Sequence, residues 1–298
     1  NFTNSYLLIF NQLKLIIFKK LKKNKCLIVM IQLNDDQQEG YNLIYDFLKN
    51  KKDKLFVLTG SAGTGKTTLI TEIMKHNNIY KKKIVLSATT NKAVSVIQKI
   101  YKSSPKNVHF STIHKLMQIK RTINMDGSES YIINIDESPN QKKKSIYFYD
   151  IIVIDEASMI SKDLVSEIIN ISSKIKGKII FVGDTLQLPP INEEISEVFN
   201  LSIKKFNLSK IERSKNNIVK YSNQLRDHII NGSKIKYKSF LDNNVSIIKN
   251  LNNWVEKYIE IFKQDTNSIL LAYTNAQCSA INKKVRNYLF DYPKEKYI

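Results

Sequence analysis

The segment from Leu58 to Ile70, LTGSAGTGKTTLI, constrains the fold more than any other stretch of the chain. It places three of the chain's 8 glycines within six residues, directly after the strand-like run LFV. The segment fits G-x-x-x-x-G-K-[ST] in full, a pattern that lies between a β-strand and an α-helix. Glycines there let backbone N–H groups wrap a phosphate chain, and the following helix N-terminus adds partial positive charge. The pattern therefore predicts a nucleotide-binding α/β fold rather than a glycine-rich surface turn.

The residues of this phosphate loop are the expected nucleotide contacts. We expect the Lys66 ammonium to reach the β- and γ-phosphates and the Thr67 hydroxyl to bind Mg²⁺. The predicted cofactors are therefore ATP and Mg²⁺. The full set of expected loop contacts is Gly60, Ser61, Ala62, Gly63, Thr64, Gly65, Lys66, Thr67 and Thr68.

Two further apolar runs end in polar side chains suited to this chemistry. The run IIVIDEAS ends in Asp155 and Glu156, and in open α/β sheets ligands bind at the carboxyl ends of strands. We expect Asp155 to hold Mg²⁺ through water and Glu156 to polarise the attacking water. The run FVGDTLQLPP places Gln187 where its amide can contact the γ-phosphate, although an ordinary proline-terminated loop explains the same residues.

Strand-like and helix-like segments alternate along the chain, which predicts a parallel sheet with helices on both faces. Asn34 is the expected N-cap of a first helix. A hairpin insertion is expected at about 119–148, with its turn at Asp126-Gly127. From about residue 215 the pattern predicts helix, strand and helix. SILLAYTNAQCSAINKKVRNYLF then predicts a strand–helix pair that opens a second α/β domain.

The chain is strongly basic, with 47 lysines and arginines against 27 acidic residues and a net charge of +20. This balance favours a nucleic acid as partner, and the codon usage of an AT-rich genome is the alternative explanation. Cys26 and Cys278 lie far apart without metal-ligand spacing, which indicates a reducing, intracellular compartment and no disulfide framework.

The first residues do not fit a signal peptide, because their positive charge follows the apolar run. Polar residues interrupt that run, which argues against a membrane span, and an amphipathic membrane anchor is the alternative interpretation. We expect translation to start at Met30, with residues 1–29 an untranslated leader or a disordered extension.

Together these segments resemble superfamily 1 helicases, closest to the RecD/Dda-like group that moves 5′ to 3′ on single-stranded DNA. The resemblance runs from about Leu33 to Leu289. Seven segments match in the family's order. GSAGTGKTT resembles motif I, LSATTNKAV motif Ia, STIH motif Ib, VIDEASM motif II, VGDTLQLPP motif III, LSKIERS motif IV and LLAYTNAQCSAIN the start of the second motor domain.

The resemblance implies a RecA-like fold and further roles at the site. Gln37 is similar to the glutamine that reads the adenine edge, Gln187 to the γ-phosphate sensor, and Arg213 to the arginine finger. The hairpin resembles the pin that splits the duplex, with Tyr131 placed to stack on the last base pair. The positions that match the single-strand track, with DNA or RNA as the strand, are Thr89, Asn91, Lys92, Thr112 and His114.

The expected organisation is a RecA-like ATPase domain at 30–212 followed by a connector and the beginning of a second RecA-like domain at 213–298. Two late motifs of the family fall beyond Ile298, so we expect a monomeric motor fragment that binds ATP and unwinds poorly by itself. An AAA+ type ATPase and a non-catalytic nucleic-acid-binding fragment are the alternatives. No membrane partner is expected.

Overall fold

The computed structural model describes residues 32–76, 79, 81–101, 107–123, 129–133, 145–210, 217–234, 248, 250–266 and 268–289. Four predictions fall outside these residues: the leader at 1–29, the turn at Asp126-Gly127, the role of Arg213 and the strand expected between the first two helices after residue 215. The chain divides into two compact units, with the boundary between Arg213 and Ser214.

A parallel six-stranded sheet forms the first unit, in the order β3-β2-β6-β7-β1-β8. This arrangement confirms the predicted α/β fold with a parallel sheet flanked by helices. The strands of this sheet are β1 (Leu55–Gly60), β2 (Ile84–Ala88), β3 (Val108–Thr112), β6 (Ile151–Ile154), β7 (Lys178–Gly183) and β8 (Lys204–Leu208).

Helices cover both faces of this sheet, and side chains alternate between the two faces along each strand. Phe56 and Leu58 pack into one core, whereas Val57 between them packs into the other. The first core includes apolar residues of α1 (Asp35–Lys49), α2 (Lys66–Lys75) and α3 (Asn91–Ile100). The second includes those of α4 (Ile113–Leu116) and α5 (Lys162–Lys174).

The first helix begins where the sequence predicts. Asn34 caps α1 by accepting a hydrogen bond from the backbone N–H of Gln37 at 2.8 Å. In return, the Gln37 side chain accepts one from the backbone N–H of Asn34 at 3.2 Å, which completes a capping box. The α1 helix lies so close to β8 that a Cβ at Gly40 would sit 2.8 Å from the Phe206 ring.

A two-stranded antiparallel hairpin leaves this sheet between α4 and β6. Its strands are β4 (Ile119–Ile123) and β5 (Glu129–Ile133), paired from Ile119 opposite Ile133 to Ile123 opposite Glu129. The predicted hairpin is therefore present. Its proposed action as a duplex-splitting pin stays a prediction.

The second unit contains α6 (Asn217–Asn231), α7 (Leu251–Gln264) and α8 (Asn275–Leu289). Val255, Ile259 and Ile281 form its small core. The predicted helix of the last strand–helix pair is α8. The predicted strand is wrong, because residues 268–272 form no strand. Ile269 to Ala272 form a continuous apolar run, but a strand needs a paired neighbour, and helices are the only regular elements in the described part of this unit.

Candidate nucleotide-binding site

The phosphate loop connects β1 to α2 and takes a backbone shape that requires glycine. Gly63 and Gly65 have φ angles of 87° and 88°, in the left-handed region that residues with a side chain rarely adopt. A Cβ at Gly65 would also collide with the Nε2 of Gln37. Both the conformation and the close approach therefore explain the glycines of this loop, and the backbone curves so as to fit a phosphate chain.

Lys66 is held against the inner side of the loop. Its Nζ donates hydrogen bonds to the carbonyl oxygens of Gly60 at 2.6 Å and Ser61 at 3.1 Å. The hydroxyl of Thr64 donates to the same Ser61 carbonyl at 2.9 Å. The ammonium is thus engaged by loop carbonyls, and Lys66 lines the cavity described below.

The acidic pair follows β6 directly. The backbone N–H of Glu156 donates to the Asp155 carboxylate at 2.9 Å. Glu156 itself has φ 54° and ψ 43°, a left-handed conformation that is uncommon for a residue with a side chain. Such strained backbone is found at functional sites, where it aims a side chain that a regular strand would point elsewhere.

Burial raises the pKa of both carboxyl groups above their ordinary values. For Asp155 the Glu156 N–H and the charge of Lys66 partly offset the effect of burial. For Glu156, burial is the largest cause, the neighbouring charge of Asp155 raises the pKa further, and Lys66 lowers it. A raised pKa makes Glu156 a stronger base than an exposed carboxylate, as expected of a group that accepts a proton from water.

A single cavity of about 260 Å³ brings most of the predicted residues together, whereas Gly60, Ser61 and Thr64 of the loop are not among those that line it. It lies at the carboxyl ends of β1, β6 and β7, where open α/β sheets bind ligands. Gln187 reaches it from the loop after β7, and its backbone N–H donates to the carbonyl of Asp184 at 3.1 Å. The lining residues are Ala62, Gly63, Gly65, Lys66, Thr67, Thr68, Asp155, Glu156, Gly183 and Gln187.

Gln37 lies behind the loop and is not among the residues that line this cavity. Its side chain is 4% exposed, and its Nε2 donates to the carbonyl oxygen of Thr64 at 3.0 Å. Because its Oε1 accepts from Asn34, both ends of the carboxamide are engaged. Gln37 therefore connects the start of α1 to the phosphate loop, and its reading of adenine stays a prediction.

The five predicted nucleic-acid contacts lie at the same edge of the sheet. Thr89, Asn91 and Lys92 follow β2, and Thr112 and His114 lie at the end of β3. These two strands are neighbours, with Ala88 opposite Thr112.

Two of these threonines differ in how their hydroxyls are used. The Thr112 hydroxyl accepts from the Lys115 N–H at 3.3 Å. The buried Thr89 hydroxyl has no hydrogen-bond partner within the described part of the chain.

Motif reasoning missed three residues of the site. Tyr101, at the end of α3, donates from its hydroxyl to the Thr67 carbonyl at 3.1 Å. Asp184 is 2% exposed, and its carboxylate accepts from the backbone N–H of Leu186 at 3.1 Å. Asp36 accepts from the N–H groups of Ser209 at 2.7 Å and Lys210 at 3.0 Å. It thus holds the chain that leads towards Arg213.

A glycine loop that faces an acidic strand end across one cavity, on a parallel sheet, defines a P-loop nucleotide-binding protein. Residues 47–193 match the family model described as an AAA domain. Among the described residues, no helix has both the length and the apolar character needed to cross a bilayer.

Three relatives show which P-loop proteins the chain resembles. The chain is 27% identical over 284 residues to an uncharacterized protein of Acanthamoeba polyphaga mimivirus, covering 86% of this chain and 56% of that protein. It is 31% identical over 218 residues to RecBCD enzyme subunit RecD of Buchnera aphidicola, covering 62% and 34%. It is 31% identical over 160 residues to ATP-dependent DNA helicase Pif1 of Campylobacter jejuni, covering 50% and 32%.

Within the P-loop class, the chain is therefore similar to RecD and Pif1 proteins over part of its length. It spans about half the length of the mimivirus protein and about a third of the other two relatives.

Proposed function

We propose that this chain is the ATPase part of a monomeric DNA helicase motor, in which hydrolysis of Mg-ATP drives 5′ to 3′ movement on single-stranded DNA. The observation that carries the proposal is the single cavity that gathers the phosphate loop, the acidic pair and Gln187. The resemblance to RecD and Pif1 supports DNA as the substrate.

The residues of the cavity fit a magnesium nucleotide. The glycine loop offers backbone N–H groups, and Thr67 and Asp155 offer the oxygen ligands that Mg²⁺ prefers. Held by Thr67 and Asp155, Mg²⁺ would offset the negative charge of the phosphates.

Side chains of this protein would carry out the remaining steps of ATP hydrolysis. Lys66 would move from the Gly60 and Ser61 carbonyls to the β- and γ-phosphates, Glu156 would accept a proton from the attacking water, and Gln187 would contact the γ-phosphate. Arg213 would stabilise charge on the transferring phosphoryl group.

A direct contact links this chemistry to the proposed DNA track. The backbone N–H of Asp155 donates to the carbonyl of Ser87 at 2.8 Å, at the end of β2. Thr89 lies two residues further along the chain. We propose that a shift of the acidic pair on hydrolysis would therefore move the segment that carries Thr89, Asn91 and Lys92.

ATP turnover by the purified chain, measured with and without single-stranded DNA, tests this function. We expect DNA to stimulate turnover, and Lys66→Ala and Glu156→Gln to reduce it by at least about 100-fold, the size of a lost general base. Glu194→Gln is the matched control, because Glu194 is exposed and lies outside the cavity. It should leave turnover unchanged.

Two outcomes contradict the proposal. Turnover that DNA does not change indicates a different P-loop ATPase, such as one of the AAA+ type. Nucleic-acid binding without turnover indicates a non-catalytic binding fragment.

A further inference from the structure

A concentration of lysines marks the edge of the sheet opposite the nucleotide cavity. The amino ends of β1, β2, β6, β7 and β8 are called the basic edge here, and they include the connections before these strands, the first strand residues and the last residues of α1 and α5. The residues of the basic edge are 49–54, 81–83, 149–150, 174–178 and 204–205. They contain twelve lysines and two carboxylates, Asp53 and Asp150. The lysines are Lys49, Lys51, Lys52, Lys54, Lys81, Lys82, Lys83, Lys174, Lys176, Lys178, Lys204 and Lys205.

The opposite edge of the same sheet, at the carboxyl ends of the strands, is called the carboxyl edge and has a different balance of lysines and carboxylates. Its segments, residues 60–66, 88–92, 112–115, 155–162, 183–197 and 208–210, contain five lysines and six carboxylates. An AT-rich codon usage raises lysine content without regard to position in the fold. It therefore does not explain why the described residues of the basic edge include twelve lysines against five at the carboxyl edge, and two carboxylates against six.

Some lysines of the basic edge have structural roles. Lys178 donates from Nζ to the carbonyl oxygen of Asp53 at 2.9 Å, and Lys54 donates to that of Ile175 at 2.9 Å. Lys204 forms an ion pair of 2.8 Å with Asp53. These contacts hold positive charge in place at the edge and occupy one of its two carboxylates.

Other lysines of the basic edge extend into solvent. Lys51 and Lys52 precede β1, Lys81 and Lys82 precede β2, and Lys176 precedes β7, and all five are exposed. They lie on segments that enter neighbouring parts of one sheet, so their charges form a row. Like charges gathered in this way repel one another unless an anion lies between them.

The pKa of Lys178 at this edge is lowered from its ordinary value. Burial is the largest cause; Asp53 raises the pKa, and the charges of Lys54 and Lys204 lower it. Three lysine side chains are thus close enough to interact at this edge.

We propose that the basic edge binds the phosphate backbone of a nucleic acid, as a contact surface separate from the strand ends beside the nucleotide cavity. The strands from β2 to β8 span about 20 Å at about 4.8 Å per strand, which matches roughly six base pairs of duplex. Lysine ammonium groups are point charges that contact phosphates without reading bases, so the binding is independent of sequence. It requires neither ATP nor hydrolysis and therefore goes beyond the proposed motor function.

The test compares two variants that lose the same charge. The edge variant carries Lys51→Gln, Lys52→Gln, Lys81→Gln and Lys82→Gln, and the control carries Lys99→Gln, Lys257→Gln, Lys263→Gln and Lys283→Gln. All eight lysines are exposed. Dissociation constants are measured without nucleotide for single-stranded and duplex DNA of about 20 nucleotides, from about 50 to 200 mM salt.

We expect the edge variant to lower the log–log salt slope by about 3 for the form of DNA that binds there, since each phosphate contact contributes about 0.9 for duplex and about 0.7 for a single strand. Its affinity at about 100 mM salt should fall at least tenfold, and its turnover of ATP without DNA should equal that of the unmodified chain. If the edge variant loses affinity for duplex DNA, the duplex is the ligand of the basic edge. If it loses affinity for single-stranded DNA, the single strand is the ligand.

An equal fall in slope for the two variants would overturn the proposal, as would no change in either. Phosphatidylserine vesicles provide a third arm, and an edge-dependent loss of vesicle binding with DNA binding intact would overturn it in favour of a membrane surface. This binding result does not depend on the proposed motor function, because DNA binding is measured without ATP.

Discussion

At the scale of single residues, Gln37 shows how one side chain serves two local structures. Its Oε1 completes the cap of α1, and its Nε2 holds the Thr64 carbonyl of the phosphate loop. Gly65 leaves room for that contact, since a Cβ there would collide with the same Nε2. The start of the first helix is therefore attached to the part of the loop that wraps phosphate.

We expect Gln37→Ala to raise the KM for ATP and the KM for GTP by the same factor, about three- to tenfold. The change removes a buried hydrogen bond worth about 1 kcal/mol and leaves the Thr64 carbonyl unsatisfied, so the loop loses its support whichever base is bound. Steady-state kinetics with both nucleotides measure the effect.

Gln38→Ala is the matched control, because Gln38 is an exposed neighbour whose side chain donates to the Asn42 side chain at 3.1 Å. A loss confined to ATP would contradict this role of Gln37 and indicate that its carboxamide reads adenine.

At the scale of secondary-structure elements, α3 is attached to α2 through Tyr101. The Tyr101 hydroxyl donates to the carbonyl oxygen of Thr67, in the first turn of α2. Burial raises the pKa of Tyr101 far above its ordinary value, which keeps the phenol neutral and able to donate. Since α3 begins at Asn91, the helix that carries the proposed DNA contacts also supports the proposed magnesium ligand.

A small cavity lies beside this contact. Its volume is about 10 Å³, and Thr67, Ser87, Tyr101 and Asp155 are among its lining residues. The buried hydroxyl of Ser87 has no hydrogen-bond partner within the described residues. The cavity gives the surrounding side chains a small space in which to repack, directly behind Asp155 at the end of β6.

We expect Tyr101→Phe to lower kcat/KM for ATP by about two- to tenfold, since the ring stays and one net hydrogen bond of about 0.5–1.5 kcal/mol is lost. The stimulation of turnover by single-stranded DNA should fall with it, because the contact joins the two sites. Turnover with and without DNA, together with the melting temperature, measures both effects.

Tyr149→Phe is the control for this change, because Tyr149 is also buried and precedes β6 at the opposite edge of the sheet. If both variants lower the melting temperature alike and leave DNA stimulation intact, Tyr101 has a packing role only.

At the scale of the whole molecule, the features that sequence predicts well are those set by neighbouring residues. The phosphate loop needs glycines at fixed spacing, and the Asn34 cap joins residues three positions apart. The acidic pair follows a short run of β-branched residues. This run predicts a buried strand from local sequence alone. These local rules were sufficient for the fold class and for most of the cavity.

The features that sequence did not predict depend on which distant segments meet. Gln37 and Thr64 are 27 residues apart, and Tyr101 and Thr67 are 34 apart. The basic edge becomes visible only when the strand order brings four lysine-containing segments to one edge of the sheet. The strand predicted at 268–272 failed for a related reason, because a short apolar run does not supply the neighbour that a strand must pair with.

The central claim is that the glycine loop and the acidic pair form one magnesium–nucleotide site on this chain. A crystal structure with Mg²⁺ and a non-hydrolysable ATP analogue tests it most directly. We expect the phosphates inside the loop, the Lys66 ammonium on the β- and γ-phosphates, and a metal ion between the Thr67 hydroxyl and the Asp155 carboxylate. A triphosphate bound elsewhere, or a metal ion that Asp155 does not approach even through water, would contradict the claim.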